Sequence, residues 1–313
     1  MNQFIHNNMT ETLSEYFNDD IIQIIMSYHE LTLKKSIKFD DTIKIAKQLS
    51  KNKLIIGFVT TEVCIYDVRD RTKITNRLIK QPSRKNYITS LCITPNNEVV
   101  FGMSKDRHLF IWNHETNTIR NIKISNGLSY IFQIIHIKDD IITYSIRYGS
   151  IHATNIIKLE NTTTAPYNYF YTNHISKINN RINEAHDGCI TVRSIESFIS
   201  GRHYLYERIR CNGKIKKVIP LNEDYYMIGR KDEIICIPVK SEYGKYELPT
   251  LIGGCYKDFI CINNNIIVLT NKIKIYDSIG DIFQIIDDNN IKLIENFNDG
   301  LLVVYEQHVT IYD

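Results

Sequence analysis

The sequence lacks the features that mark membrane, secreted and disulfide-rich proteins. None of its apolar runs approaches the roughly 20 residues that a membrane-spanning helix needs. Residues 1–17 have neither the basic start nor the apolar core of a secretory signal. The 7 cysteines form no Cys-x-x-Cys pair, and several sit in predicted strands, where a reduced thiol packs as a small apolar group. We therefore expect a reducing, intracellular compartment, a cytoplasmic location and no membrane partner.

A strong charge of one sign is also missing. The chain has 38 Lys and Arg against 35 Asp and Glu, a net charge of +3. A nucleic-acid-binding domain is more strongly basic, with its cations clustered. One basic run, residues 202–217, interleaves Tyr204 and Tyr206 with cations, which fits either base stacking or alternation along an exposed strand. The low net charge favours the strand, so no nucleic-acid partner is expected.

Motifs that carry catalysis are scarce. The sequence contains no GxGxxG, GxxxxGKS/T, HExxH or GxSxG pattern. His186 and Cys189 stand three residues apart, downstream of His174, but a zinc site needs four ligands in defined pairs, so we expect a solvated loop here. Cys211 and Cys255 show no partnered His that would activate a thiol. No catalytic residue, metal or cofactor is predicted.

What the sequence does contain is a succession of short apolar runs. The stretch 88–124 holds four of them: Ile88–Ile93, Glu98–Ser104, His108–Trp112 and Thr118–Ile124. Turn residues such as Pro95, Asn96 and Asn97 separate the runs at intervals of about 8–12 residues. This spacing predicts a four-stranded antiparallel meander.

The meander repeats along the chain. Four third-strand ends share one form, in which strand-forming residues are followed by a large aromatic residue and then by Asp or Asn. These ends are Val63–Asp67, Leu109–Asn113, Ile273–Asp277 and Val309–Asp313. Trp112 and Tyr276 are 164 residues apart, or four steps of about 41, which matches a repeat period of ~40–45 and gives seven third strands. Residues 173–211 are too poorly patterned for the strands of the fourth repeat to be placed.

The segment Ser104–Asn113 resembles the end of a WD-type repeat, in which a polar turn precedes a strand that ends in Trp-Asp; here Asn113 replaces the Asp. The resemblance implies an all-β fold, a seven-bladed β-propeller of four-stranded antiparallel blades over residues 31–313. The last repeat, residues 291–313, has only three strands, and residues 31–39 are expected to complete it and close the ring. Outer strands of the third and fifth repeats are expected at about Ala165–Tyr171 and at Lys245–Pro249.

Residues 1–30 are expected to form an N-terminal extension with one amphipathic helix. Its apolar face consists of Ile21, Ile24, Ile25 and Tyr28, which recur at i, i+3, i+4 and i+7. The segment Phe17–Tyr28 resembles the opening of an F-box, with Asn18 in place of the usual Pro. That resemblance implies binding to a ubiquitin-ligase adaptor. The alternative is that the apolar face packs against the propeller.

Basic residues predominate near the loops that join second and third strands, which share one face in propellers of this type. The predicted partner-binding residues are Arg84, Lys85, Lys105, Arg107, Arg147, Arg230 and Lys231. Such cations form charge-assisted hydrogen bonds with acidic or phosphorylated protein segments. The alternative is an ordinary solvated surface.

These observations favour a non-catalytic scaffold that presents propeller loop faces to protein partners. One alternative is a substrate-recognition subunit of a ubiquitin ligase, which rests on the F-box resemblance. Another is an enzyme with a site in the central channel, but the sequence shows no converging carboxylates or histidines of the kind that hydrolysis needs. The heavy use of Ile, Asn, Lys and Tyr resembles the composition of proteins from large amoebal DNA viruses.

Overall fold

The computed structural model describes residues 33–78, 86–124, 131–146, 151–164, 172–202, 207–221, 225–238, 250–263, 265–276, 281–288, 290–298 and 300–312. Within them lie 27 strands and one short helix, in seven separate antiparallel sheets. The first strand, β1 (Leu33–Lys38), belongs to the last sheet.

The first three sheets each use four consecutive strands. They are β2 (Ile43–Ser50), β3 (Lys53–Phe58), β4 (Glu62–Asp67) and β5 (Thr72–Leu78); β6 (Ile88–Ile93), β7 (Val99–Met103), β8 (His108–Asn113) and β9 (Thr118–Lys123); and β10 (Ile131–Lys138), β11 (Ile141–Ile146), β12 (Ile151–Asn155) and β13 (Glu160–Thr164).

The remaining four sheets follow in chain order. The fourth contains β14 (His174–Ile178), β15 (Arg181–Ser194), the helix α1 (Ile195–Ile199) and β16 (Glu207–Lys214). The fifth and sixth contain β17 (Lys217–Pro220), β18 (Tyr225–Gly229), β19 (Glu233–Pro238) and β20 (Thr250–Gly253), then β21 (Asp258–Ile262), β22 (Asn265–Leu269), β23 (Ile273–Tyr276) and β24 (Ile282–Ile286). The seventh contains β25 (Leu293–Phe297), β26 (Gly300–Val304) and β27 (His308–Tyr312), with β1 at its edge.

The seven sheets stand around a closed ring. The first strand of each sheet lies innermost and contacts the innermost strands of both neighbouring sheets, including β25 against β2 where the ends of the chain meet. This arrangement is a seven-bladed β-propeller, so the expected all-β fold is confirmed. Each sheet is one blade. In the first six blades the strands run in sequence order from the ring centre outward, and in the seventh β1 follows β27 as the outermost strand.

Burial explains why the second strands read as uninterrupted apolar runs. All residues of β7 and β26 are buried, because neighbouring blades cover both faces of these strands. The outer strands have less cover: Ile282 and Ile285 of β24 are 47% and 53% exposed. The periodic signal in the sequence is therefore strong for second and third strands and weak for outer ones.

The N-terminal strand completes the seventh blade. β1 pairs antiparallel with β27, with Lys35 opposite Ile311 and Ile37 opposite Val309. Ile37 is only 5% exposed and packs in the core between the seventh and first blades. The two incomplete ends of the chain thus join in one sheet, and the ring has no gap at this position.

In the fourth blade, β15 consists of two strands joined by a tight turn. A continuous strand would separate Asn180 from Ile195 by roughly 50 Å, yet the backbone N–H of Ile195 donates to the carbonyl of Asn180 at 3.0 Å. The chain must therefore reverse within β15. It does so at Asp187 and Gly188, where Gly188 has φ +82°. The blade is four-stranded, with both middle strands supplied by this hairpin.

The hairpin corrects the expectation of a solvated loop at residues 186–189. His186 is 1% exposed and Cys189 is 5% exposed, because both lie on strands packed between blades. The Nε2 atom of His186 is 3.4 Å from a carboxylate oxygen of Glu184, and the other oxygen accepts from Nε of Arg193 at 2.7 Å. These three side chains form a buried polar cluster around the Glu184–Arg193 ion pair.

Two outer strands lie elsewhere than expected. In the third blade, Oδ1 of Asn155 accepts from the backbone N–H groups of Ile157 and Lys158, so the chain turns early and β13 begins at Glu160. In the fifth blade, pairing of Ile252 with Ile234 places Ile252 in the core, so β20 begins at Thr250. The expected segments, 165–171 and 245–249, lie outside the described residues. The N-terminal extension, residues 1–30, with its predicted apolar face, also lies outside them.

Candidate functional site

The loops between second and third strands lie together at one end of the ring. They comprise residues 59–61, 104–107, 230–232, 270–272 and 305–307, and the innermost strands begin at the same end. We call this end the loop face. Of the predicted partner-binding residues, Lys105, Arg107, Arg230 and Lys231 lie on it, whereas Arg84, Lys85 and Arg147 lie outside the described residues.

A buried carboxylate holds the loop that carries Lys105 and Arg107. Asp106 is 6% exposed, and its Oδ1 lies 2.6 Å from Nδ1 of His108. Oδ1 of Asn86 accepts from the backbone N–H of Lys105 at 3.2 Å. These contacts fix the loop backbone. Lys105 and Arg107, the residues before and after Asp106, are both exposed.

The second cationic loop is less available than the sequence indicated. The guanidinium of Arg230 donates to Oε1 of Glu233 at 2.8 Å, and its side chain is only 20% exposed. Its charge is therefore balanced within the loop. Lys231, the next residue, is exposed and forms no ion pair with any residue that the structure describes.

The loop face also includes side chains at the mouth of the central channel, which the sequence did not predict. In the first three blades the innermost strand has a register irregularity after its first residue, at Lys44, Thr89 and Phe132. Phe132 is 46% exposed there, and the ammonium of Lys44 lies 4.6 Å from the ring centre of Tyr87. A β-bulge of this kind redirects a side chain, and no pattern in the sequence marks its position.

Inside the channel, polar side chains tie neighbouring innermost strands together. The amide of Gln133 accepts from the backbone N–H of Ile175 at 2.8 Å and donates to its carbonyl at 2.7 Å. The ammonium of Lys217 donates to Oδ1 of Asp258 at 2.7 Å. These groups are engaged in joining blades, so they do not form a converging acid–base pair.

His174 is the most perturbed titratable group of the channel. It lies between Gln133 and the backbone N–H of Val218. Burial, with a smaller contribution from the nearby charge of Lys217, lowers the pKa of its imidazole to about 3. The side chain is therefore neutral at physiological pH and acts as a hydrogen-bonding spacer between blades.

Comparison with known proteins identifies the architecture. No protein-family model and no curated protein matches the chain. Among solved structures, the chain is similar to the β-propeller domain of Cps50 (Swd1) from Myceliophteria thermophila, with a TM-score of 0.71 and 11% sequence identity. The match covers 90% of this chain and 99% of that domain. The fold of both is a β-propeller, seven-bladed in this chain. At this level of identity the similarity extends to the fold alone.

Neither of the two cysteines considered as nucleophiles has a lowered thiol pKa. Burial raises the pKa of Cys211 to about 11. The Asp232 carboxylate, which accepts a hydrogen bond from the thiol of Cys255, raises the pKa of that exposed thiol. Neither cysteine considered as a nucleophile is thus a ready thiolate. Among the described residues there is no group of three or more His, Cys, Asp and Glu side chains placed to hold a metal ion.

The helical content of the described propeller is one five-residue helix, α1. No helix in this part of the chain is long and apolar enough to cross a membrane.

Proposed function

We propose that this propeller is a non-catalytic scaffold that binds protein partners through acidic or phosphorylated segments on its loop face. The observation that carries the proposal is the pair of exposed lysines, Lys105 and Lys231, which form no ion pair within the described residues. A surface cation with no internal partner is available to an anion from another molecule, and charge-assisted hydrogen bonds are the stronger class.

The channel mouth supports the same proposal. Phe132 presents an exposed aromatic ring, and Tyr87 presents a ring already covered by the Lys44 ammonium. Aromatic side chains are enriched in the cores of protein interfaces, whereas charged groups belong to their rims. The loop face therefore combines exposed aromatic rings near its centre with the cations Lys105, Arg107 and Lys231, and the acidic Asp232 and Glu306 lie between them. Aromatic rings beside cations suit a peptide segment with an acidic side chain better than a small metabolite.

Charge reversal tests this proposal. A variant with Lys105→Glu and Lys231→Glu changes the loop face, and a matched control with Lys51→Glu and Lys158→Glu changes exposed lysines at the opposite end of the blades. Proteins that co-purify with each chain from expressing cells are identified by mass spectrometry. We expect partners to be lost from the loop-face variant and kept by the control. Identical partner sets for both variants and the original chain would contradict the proposal.

A second candidate function is substrate recognition for a ubiquitin ligase. It is favoured by the apolar face of Ile21, Ile24, Ile25 and Tyr28 and by the F-box resemblance of the surrounding segment. A truncated chain, residues 31–313, keeps β1 and therefore the closed ring. Recovery of a cullin-type ligase adaptor by the full chain alone is the expected result, and equal recovery by the truncated chain, or none by either, contradicts this role.

A further inference from the structure

A crevice opens between the fifth and sixth blades, beside the loop that carries Lys231. Its volume is about 240 Å³. Ile234, Ile252 and Val268 form apolar walls, and Gly253, Gly254 and Cys255 border it where the chain crosses from one blade to the next. A Cβ atom built on Gly253 would meet no heavy atom within 4 Å, which shows that the space in front of it is empty.

The size of the crevice limits what can occupy it. Sites for small molecules and cofactors have volumes of ~300–1,000 Å³, so a crevice of about 240 Å³ is small for a metabolite. It suits one long side chain of a protein segment that lies across the blade edges. The apolar walls favour a side chain with a methylene stem.

The polar groups of the crevice determine which chemical group at the end of that side chain would bind. Lys274 and Tyr276 of β23 line it. Tyr276 is only 7% exposed, and its hydroxyl forms no hydrogen bond with the described residues. The Lys274 ammonium likewise has no acidic partner among them. A hydroxyl donor and an ammonium that line the same crevice are complementary to a carboxylate.

Charges around the entrance favour the same ligand. Lys216 lies against the ring of Tyr256, with its ammonium 5.1 Å from the ring centre, and 3.4 Å from the backbone carbonyl of Lys231. Two carboxylates lie nearby: Asp232 accepts a hydrogen bond from the thiol of Cys255, and Asp258 accepts one from the ammonium of Lys217. The Lys216 ammonium has no carboxylate partner among the described residues, so it adds an available cation at the entrance.

We propose that the crevice between the fifth and sixth blades binds a glutamate side chain of a partner protein. The methylene groups contact Ile234, Ile252 and Val268, and the carboxylate meets the Lys274 ammonium and the Tyr276 hydroxyl. This inference rests on the proposed function, since it names the place where an acidic segment on the loop face inserts a side chain.

Cys255 provides a direct measure of occupancy, because it borders the crevice and is exposed. The full-length protein is alkylated with N-ethylmaleimide, and the rate at Cys255 is followed by peptide mass spectrometry. The probes are three capped pentapeptide libraries with random flanks and a fixed central residue: glutamate, glutamine or phosphoserine. We expect the glutamate library to slow alkylation of Cys255 and the glutamine library to leave it unchanged.

Variants identify the side chains that bind the glutamate. Lys274→Gln should raise the half-protective concentration of the glutamate library roughly 10- to 100-fold, the effect of removing a charged hydrogen-bond partner. Tyr276→Phe should raise it less. Lys272→Gln is the matched control, because Lys272 is exposed, lies two residues away and pairs with Asp287 outside the crevice. Thermal unfolding verifies that each variant is folded.

Several results would overturn the inference. Equal protection by the glutamate and glutamine libraries, or equal effects of Lys274→Gln and Lys272→Gln, would show that a carboxylate is not what the crevice binds. Stronger protection by phosphoserine would replace the glutamate with a phosphorylated side chain. Failure here, with partner loss still caused by Lys105→Glu and Lys231→Glu, would reject the crevice and leave the loop-face scaffold standing.

Discussion

Glycine at one position of the second strand sets how closely neighbouring blades approach. Gly57, Gly102 and Gly229 stand opposite equivalent residues of their innermost strands. A Cβ atom at Gly102 would lie 2.7 Å from Cβ of Ile131 and 2.9 Å from its Cδ1. Ile131 belongs to the innermost strand of the next blade and is branched at Cβ, so it has little freedom to move aside.

We therefore predict that Gly102→Ala destabilises the protein. Overpacking of a well-packed core costs about 1–3 kcal/mol, which corresponds to a loss of roughly 2–5 °C in Tm for a domain of this size. Thermal unfolding followed by circular dichroism measures the change. Gly253→Ala is the control, because Gly253 faces open space and its backbone is not left-handed. A Tm for Gly102→Ala equal to that of the original chain, or an equal loss from Gly253→Ala, would refute this account of blade packing.

Three further perturbations test the buried charges and the ring closure. Arg193→Ala should cost about 3–5 kcal/mol, because it leaves the Glu184 carboxylate buried without its main partner, and replacing both residues by Leu should recover most of the loss in a urea titration. His174 has a folded pKa of about 3 against about 6.5 in the unfolded chain, so the unfolded chain binds the proton first and stability falls as the pH drops below about 6.5. Between pH 7 and pH 5 this group should contribute a loss of roughly 2 kcal/mol, read from urea midpoints at the two pH values and absent in His174→Gln. Ile37→Asp places a carboxylate in the core that joins β1 to the ring and should lower Tm. Ser36→Asp, on the exposed side of the same strand, should not lower Tm. Equal Tm values for these two variants would contradict the role of β1 in closing the ring.

The repeat count could be predicted from the sequence because its signal comes from buried positions. Tyr66, Trp112, Tyr276 and Tyr312 all pair near the start of their second strands, and each is at most partly exposed. Burial between blades restricts these positions to large apolar side chains, so the pattern is visible. The closure by β1 could also be predicted, since one end of the chain lacked a strand and the other had one to spare.

The fourth blade could not be placed because it departs from that pattern. The backbone bond from Ile195 to Asn180 corresponds to the bond from Val68 to Asn52 in the first blade, which puts Arg193 at the position that Tyr66 occupies. An ion pair with Glu184 replaces aromatic packing at this position. In a sequence, charged residues such as these two normally predict exposed positions, so the buried strands were not recognisable. The tight turn at Gly188 also leaves no polar loop to separate the two strands.

Only part of the candidate site followed from the sequence. The exposed positions of Lys105 and Lys231 could be predicted from turn residues between strands. The ion pair that balances Arg230, the bulge that exposes Phe132 and the crevice beside Lys274 depend on contacts between blades or on local register. Such contacts join residues far apart in the chain and have no signature in a single sequence.

The most direct test of the scaffold proposal is to map which end of the ring touches a partner. A photo-crosslinking benzoylphenylalanine is placed at Lys105 or Lys231 on the loop face, and at Lys51 or Lys158 on the opposite end, in otherwise unchanged full-length chains. After irradiation in expressing cells, crosslinked proteins are isolated and identified. The account predicts that Lys105 and Lys231 positions capture the same partner proteins and that Lys51 and Lys158 positions do not. Capture only from the opposite end would contradict the proposed binding face.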